Sequence, residues 1–182
     1  MIRMPIFCAT SVFIEFVSRK SLVRPRSHGF PRFFAWESLA ALFLLVAPRW
    51  IDAWTSPRQL VSWLLITLSA YFALRGAYLL RTLGKPDPAR SAAELYAFEK
   101  TSCLVDVGLY RHVRHPLYAS LLFLAWGFYL KWPAWPELLL AAAASLFLVL
   151  AALIDETECL EHFGDAYRAY MKTTRRFIPF LV

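Results

Sequence analysis

Apolar runs separated by polar, basic segments dominate the sequence. The runs cover residues 4–17, 33–54, 59–80, 116–132 and 137–154. Runs 33–54 and 59–80 can each cross the roughly 30 Å hydrocarbon core of a bilayer, because a helix rises about 1.5 Å per residue. The first run is short for a membrane span and contains Glu15. The pattern predicts an all-α integral membrane protein with about five transmembrane helices.

The end of the chain has a different pattern. A short link at residues 131–136 joins the last two runs and predicts an antiparallel hairpin. After residue 154, apolar side chains recur at three- and four-residue steps, which predicts a C-terminal cytoplasmic amphipathic helix. Proline residues Pro86 and Pro88 interrupt the polar segment 81–114 near its start. We expect one membrane domain, residues 1–182, with N-terminal spans in 1–80 and a second region in 101–180.

Composition supports a lipid environment. Of the 182 residues, 59% are apolar, which exceeds the usual content of a soluble domain of this length. The net charge is +7. The basic residues lie between apolar runs, a pattern typical of membrane proteins, so nucleic acid is not an expected partner. The three cysteines are far apart and predict neither a disulfide framework nor a thiolate metal site.

The basic residues also predict an orientation. Segments 19–32, 81–114 and 155–182 hold fifteen of the twenty Lys and Arg residues. Five spans would place these three segments on the same side, which the positive-inside rule assigns to the cytoplasm. We therefore expect the residues before Pro116 and those after Ile154 to meet at the cytoplasmic face.

The residues at this meeting point are predicted to bind a zwitterionic ligand. Pro116 at the first helical position leaves the N–H groups of Leu117 and Tyr118 available to an anion, and Arg114 and His115 add donors. On the other side, the carboxylates of Asp155 and Glu156, predicted to begin the cytoplasmic helix, favour a cation. S-adenosylmethionine carries a carboxylate at one end and an ammonium and a sulfonium at the other.

Simpler interpretations exist for each feature. Arg114 and His115 could form the polar collar of a membrane span, and an acidic pair at a helix start is often only solvated charge. The three-residue spacing of His112 and His115 could suit a metal ion. The sequence fixes no third ligand, so no metal site is predicted. Scattered glycines exclude a dinucleotide loop and, with it, a Rossmann-type soluble enzyme.

Several spaced blocks resemble a known family. They are Leu104-Val-x-x-Gly-x-Tyr110, Arg114-His-Pro-x-Tyr118, Asp155-Glu156, Phe163-Gly-x-x-Tyr-x-x-Tyr170 and Arg176-Phe-Ile-Pro179, with a hairpin before the acidic pair. Their order over residues 101–180 resembles the isoprenylcysteine carboxyl methyltransferase and phospholipid methyltransferase superfamily. The resemblance implies S-adenosylmethionine as cofactor, contacted by Leu104, Val105, Tyr110, His115, Pro116, Tyr118, Asp155 and Glu156.

Two positions depart from the family's pattern. Asp155 stands where the family usually has Glu. Ala151 stands where the prenylcysteine branch carries an Arg that holds the substrate, and Arg75 on another helix would be the substitute. The resemblance therefore implies a lipid or small hydrophobic acceptor with a nucleophilic N, S or O, rather than a prenylcysteine. The sequence identifies no catalytic base, and His112 is only a candidate.

The expected protein is an integral membrane methyltransferase that depends on S-adenosylmethionine. Its acceptor would enter from the bilayer, its cofactor from the cytoplasm, and its partners would be membrane lipids. An excess of Arg over Lys and abundant Ala favour a bacterial, multi-pass inner-membrane protein. Two alternatives remain open: an NADPH-dependent membrane reductase related to sterol reductases, and a non-catalytic membrane protein that retains the fold.

Overall fold

The computed structural model describes residues 3–85 and 99–178, and every regular element within them is helical. Two short 3-10 helices, Ala47–Arg49 and Gly108–Arg111, lie between the α-helices. The α-helices are α1 (Arg3–Leu22), α2 (Gly29–Val46), α3 (Pro57–Leu83), α4 (Pro116–Tyr129), α5 (Trp135–Phe163) and α6 (Asp165–Thr173). The predicted all-α class is therefore confirmed for the described part of the chain.

Three of the described helices are long and apolar enough to cross a membrane. They are α2 with the 3-10 turn after it, α3 and α5. Helix α4 is apolar but has only 14 residues, a length of about 21 Å. The predicted first span lies within α1, whose 20 residues include four charged side chains. Five spans are thus not confirmed, and neither is the amphipathic character of the C-terminal helix.

Proline sets the start of the three later apolar helices. Pro57, Pro116 and Pro136 each occupy one of the first two helical positions, where a missing N–H costs no hydrogen bond. Ser56 precedes α3, and its side chain accepts a hydrogen bond from the backbone N–H of Gln59. The helices after these prolines therefore begin within two residues of the predicted positions.

Helix α5 continues well beyond its predicted end. The interpretation that Asp155 and Glu156 begin a new helix is wrong, because both lie inside α5, which ends at Phe163. No Gly or Pro occurs between Ile154 and Gly164, so nothing interrupts the helix there. Gly164 ends it with a φ of 58°, a backbone conformation that glycine adopts without strain. The acidic pair is therefore presented by the side of a helix, not by its N-terminus.

Two pairs of helices make extensive contacts. Helix α3 packs along α4, and α2 packs along α5. Small residues on α2 and α5, among them Ala35, Ala151 and Ala152, are fully buried in one cluster with Tyr118 and Phe177. Small side chains let helix backbones approach closely, as in membrane bundles. Ala151 is therefore part of the packed core.

At the other end of the bundle, a buried lysine connects α3 to the α4–α5 link. Lys131 has no exposed surface, and its Nζ donates to Gln59 Oε1 at 3.0 Å. The same Nζ lies 3.2 Å from the ring centroid of Trp63 and 5.0 Å from that of Trp50. The amide oxygen and the two indole faces thus replace the water that the ammonium lost.

Candidate functional site

The loop before α4 is shaped by one glycine. Gly108 has a φ of 61°, and a Cβ atom at this position would lie 2.9 Å from Cδ1 of Leu79 on α3. Both the backbone conformation and the close approach require the absence of a side chain. The turn carries Tyr110 into a buried position against Leu79 and Val105.

A C-terminal segment lies alongside this loop. The backbone N–H groups of Arg114 and His115 donate to the carbonyls of Arg175 and Arg176, at 2.7 and 3.1 Å. In return, the N–H of Arg175 donates to the carbonyl of His112 at 3.0 Å. This pairing brings Arg176 to the acidic pair of α5. Pro179, which ends the Arg176–Pro179 block of the family pattern, lies outside the described residues, as do Pro86 and Pro88.

Glu156 is the centre of a buried ion-pair network. Its Oε1 accepts from Nε of Arg114 at 2.8 Å and from Nε of Arg176 at 3.0 Å. Its Oε2 accepts from Nη2 of Arg176 at 2.8 Å. Arg114 also donates from Nη1 to the carbonyl of Met171 at 3.2 Å and to that of Thr174. Two arginines therefore neutralise Glu156, which is 5% exposed, and join α5 to the segments on both sides of it.

His115 lies between the two acids of the pair. Its Nδ1 is 3.4 Å from Oδ2 of Asp155, and its Nε2 is 3.4 Å from Oε1 of Glu156. Nε2 is buried and has no partner with hydrogen-bond geometry among the described residues. Burial alone would lower the pKa of His115, but the contacts with Asp155 and Glu156 outweigh it and raise the pKa above the ordinary value. The two carboxylates therefore favour the protonated form of the ring.

These groups lie beside a cleft at the loop-bearing end of the bundle. The space within it, including its open mouth, is about 750 Å³. Seven of the eight residues predicted to bind a cofactor line it: Leu104, Val105, Tyr110, His115, Pro116, Tyr118 and Asp155. Glu156, the eighth, does not line the cleft and pairs with the arginines behind it.

The cleft combines the carboxylates of Asp155 and Glu99 with aromatic walls. Asp155 keeps 22% of its side chain exposed. Burial raises the pKa of Tyr110 and the pKa of Tyr170 well above their ordinary values, so both phenols stay protonated. The hydroxyl of Tyr170 donates to the carbonyl of Tyr110 at 2.6 Å. Such a cleft suits a ligand with a flat apolar part and a cationic centre.

Sequence reasoning missed the part of the wall that precedes α2. His28, in a segment that the sequence describes only as basic, is buried and lines the cleft. Glu158 on α5 accepts from the backbone N–H of His28 at 2.9 Å and contacts its Nδ1 at 2.6 Å. Neither residue belongs to a recognisable motif. A Ser-His-Gly sequence immediately before an apolar run was the single hint, and it is a weak one.

Three residues singled out by the sequence lie away from the cleft. His112 is exposed and is not part of its lining. Arg75 is exposed, and its guanidinium lies 5.5 Å from the ring centroid of Tyr78. Ala151 is buried in the core. Within the described ranges, the group of potential metal ligands close enough to share an ion is His28, Asp155 and Glu158, not the pair His112 and His115.

The two buried histidines give the stability of the protein a pH dependence. Burial opposes the charge on His28 as it does on His115, but the hydrogen bond with Glu158 raises the pKa of His28. Because both folded pKa values exceed the unfolded value of about 6.5, the stabilisation is complete below that pH. It is lost as the pH rises through the folded pKa values.

We therefore expect thermal unfolding in detergent to shift to lower temperature between pH 5.5 and 8.5, test values set by the histidine pKa of about 6.5. A His28→Gln, His115→Gln double variant should lose most of this slope, whereas His162→Gln, at an exposed position, should retain it. A wild-type protein that gains stability over the same range would contradict the assignment.

Comparison with known proteins gives two similar enzymes. One is the methanethiol S-methyltransferase of Pseudomonas deceptionensis, 31% identical over 78 residues, or 40% of this chain and 27% of that protein. The other is methanethiol S-methyltransferase 1 of Bradyrhizobium diazoefficiens, 30% identical over 71 residues, or 39% of this chain and 24% of that protein. No family model and no solved structure matches the chain.

The predicted resemblance to methyltransferases is therefore confirmed. The matches cover about a quarter of the length of these curated relatives.

Proposed function

We propose that this protein is a bacterial inner-membrane methyltransferase that uses S-adenosylmethionine to methylate a small hydrophobic thiol. The observation that carries the proposal is the cleft, which is lined by seven of the eight residues predicted from sequence, including the partly exposed carboxylate of Asp155. Three further features support the proposal. Three described helices are long and apolar enough to cross a membrane, and two similar proteins are named methanethiol S-methyltransferase. The distribution of Lys and Arg along the chain favours a cleft at the cytoplasmic face.

The residues of the cleft fit S-adenosylmethionine. Asp155 is a carboxylate for its cationic end, and it stays in place through the contact with His115. Tyr110 and Tyr118 offer aromatic faces for the adenine and for the sulfonium. The buried Nε2 of His115, which lacks a hydrogen-bond partner in the described structure, is a donor that a ligand carboxylate could reach only by displacing Glu156. We therefore assign the ring to orienting Asp155.

The cofactor would supply a methyl group already activated by positive sulfur. The chain would contribute binding, alignment and the exclusion of water. Leu104, Val105 and Leu117 form apolar wall, which suits both the ribose-adenine body and a small apolar acceptor. The acceptor would reach the cleft from the bilayer along the start of α4, where the surrounding helices present apolar side chains to lipid.

Calorimetry and product analysis test the proposal. Purified protein in detergent should bind S-adenosylmethionine and should transfer its labelled methyl to methanethiol, giving labelled dimethyl sulfide. Binding of NADPH without S-adenosylmethionine would indicate a reductase. Binding of neither would indicate a non-catalytic protein. Either result would contradict the proposed function.

A further inference from the structure

Transfer of a methyl group to a thiol requires a place for the thiol proton. The thiolate is the nucleophile, and a thiol with a pKa of about 8.5 or above is mostly protonated at pH 7. The S–CH3 bond of the sulfonium breaks as a new S–CH3 bond forms, and the proton of the acceptor must leave its sulfur. A base in the cleft would meet this need, and the proposed function identifies none.

Most titratable groups of the cleft are unsuited to this task. His115 has a carboxylate oxygen 3.4 Å from each ring nitrogen, so an acidic side chain already faces both nitrogens. Tyr110 and Tyr170 remain protonated because burial raises the pKa of each phenol. Glu99 accepts two hydrogen bonds from Nη1 of Arg32, at 3.1 and 3.2 Å. Asp155, 3.4 Å from the His115 ring, is the counter-charge for a cationic ligand.

His28 has the arrangement of a base. Its Nδ1 lies 2.6 Å from Oε2 of Glu158, and its backbone N–H donates to Oε1 of the same carboxylate. An ionised carboxylate only accepts hydrogen bonds, so Nδ1 carries the hydrogen and Nε2 keeps its lone pair in the neutral ring. Nε2 makes no hydrogen bond to any residue that the structure describes.

The position of His28 also suits the reaction. The residue is part of the cleft wall, and polar atoms of His28, Asp155 and Glu158 lie within 4.8 Å of one another. Charged groups facing the ring are Asp155 and Glu158 from α5, which favour its protonation, and Arg32 from α2, which opposes it. A base at this site would receive a proton next to the carboxylate that we assign to the cofactor.

We propose that Nε2 of His28 accepts the proton of the thiol during methyl transfer, with Glu158 as the positioning residue. The inference rests on the proposed function of the cleft. The methyl passes from the sulfonium to the acceptor sulfur, leaving S-adenosylhomocysteine and a thioether. The thiol proton passes to Nε2 and is later released to water, so no other reactant is consumed.

The test measures transfer from labelled S-adenosylmethionine to methanethiol as a function of pH. His28→Gln should lower the rate at pH 7 by about 100-fold, the lower end of the usual contribution of a general base. Its affinity for S-adenosylmethionine, measured by calorimetry, should remain unchanged. The wild-type rate should level off once His28 is deprotonated, whereas the variant rate should rise with the thiolate concentration, about tenfold per pH unit.

Glu158→Gln provides a second variant and a readout independent of turnover. Loss of the carboxylate should lower the pKa of His28, and the plateau of the rate profile should move to lower pH with it. The same shift should be visible in the NMR titration of carbon-13-labelled histidine rings in the ligand-free protein. His162→Gln, at an exposed position on α5, should behave as wild type in each measurement.

The possible failures are distinguishable. A wild-type protein that does not bind S-adenosylmethionine contradicts the proposed function, whereas one that binds it but methylates no methanethiol contradicts the thiol acceptor and the role of His28. A His28→Gln variant with the wild-type rate and pH profile overturns the inference alone. Inhibition by a chelator that zinc reverses would assign the cluster to a metal ion instead and would equally overturn it.

Discussion

Replacement of Glu156 by Gln should unfold the protein more easily while leaving the cleft wall in place. Glu156 is 5% exposed and accepts three hydrogen bonds from Arg114 and Arg176. The neutral amide can accept from one arginine but cannot balance the buried charge of Arg114 and the half-buried charge of Arg176. Breaking a buried ion pair from one side typically costs about 3–5 kcal/mol, and we expect a loss of about 3 kcal/mol here.

Unfolding in detergent, with Glu161→Gln as the matched control, checks this prediction. Glu161 lies on the same helix and is exposed, so the same substitution should leave the free energy of unfolding unchanged. The affinity of folded Glu156→Gln protein for S-adenosylmethionine should also change little, because Glu156 does not line the cleft. Weaker binding at wild-type stability would show instead that this carboxylate contacts the ligand.

Replacement of Asp155 by Asn should weaken ligand binding more than it weakens folding. Asp155 lines the cleft and is its accessible carboxylate beside His115. Hydrogen bonds that involve a charged group contribute about 1.5–3 kcal/mol. We therefore expect the affinity for S-adenosylmethionine to fall by roughly 10- to 150-fold, with a smaller loss of stability than in Glu156→Gln.

Calorimetry with two ligands makes this second prediction specific. S-adenosylhomocysteine has the same amino acid end but a neutral sulfur. If Asp155 faces the sulfonium, the substitution should weaken the binding of S-adenosylmethionine much more than that of S-adenosylhomocysteine. An equal loss of affinity for the two ligands would place Asp155 at the ammonium group. Asp106→Asn, at an exposed position outside the cleft, is the control. Unchanged affinity for both ligands in Asp155→Asn would refute the assignment of this carboxylate.

The two neighbouring acids of α5 show how far sequence reasoning reached. Their charge and their place after an apolar run were sufficient to predict that they meet the segment before Pro116, and Arg114 does contact Glu156 at 2.8 Å. Their different roles were not predictable. Consecutive residues on a helix point about 100° apart, so Asp155 faces the cleft while Glu156 faces the arginines. Which face is which depends on how α5 packs against its neighbours.

Two features could not be predicted from neighbouring residues in the sequence. They are the end of α5 and the presence of His28 in the cleft wall. The drop in hydropathy at Asp155 predicts the end of a span, but hydropathy reports the environment and not the backbone conformation. Residues Asp155 to Phe163 continue the helix because no residue breaks it. The contact between His28 and Glu158 spans 130 positions of the chain, and no spacing rule connects residues so far apart.

Apolar runs and the prolines beside them were enough to predict the helices and where most of them start. Hydrophobic periodicity and the restriction that proline puts on the backbone depend only on residues close together in the sequence. Spaced blocks around His115 and Asp155 were enough to bring together seven residues that line one cleft. Only the packing of α2 against α5 decided that His28 completes the wall and that Ala151 is core. Only the pairing of the C-terminal segment with the loop before α4 decided that Arg176 neutralises Glu156. Both outcomes depend on contacts between distant segments, and a linear pattern carries no information on which distant side chains share a space.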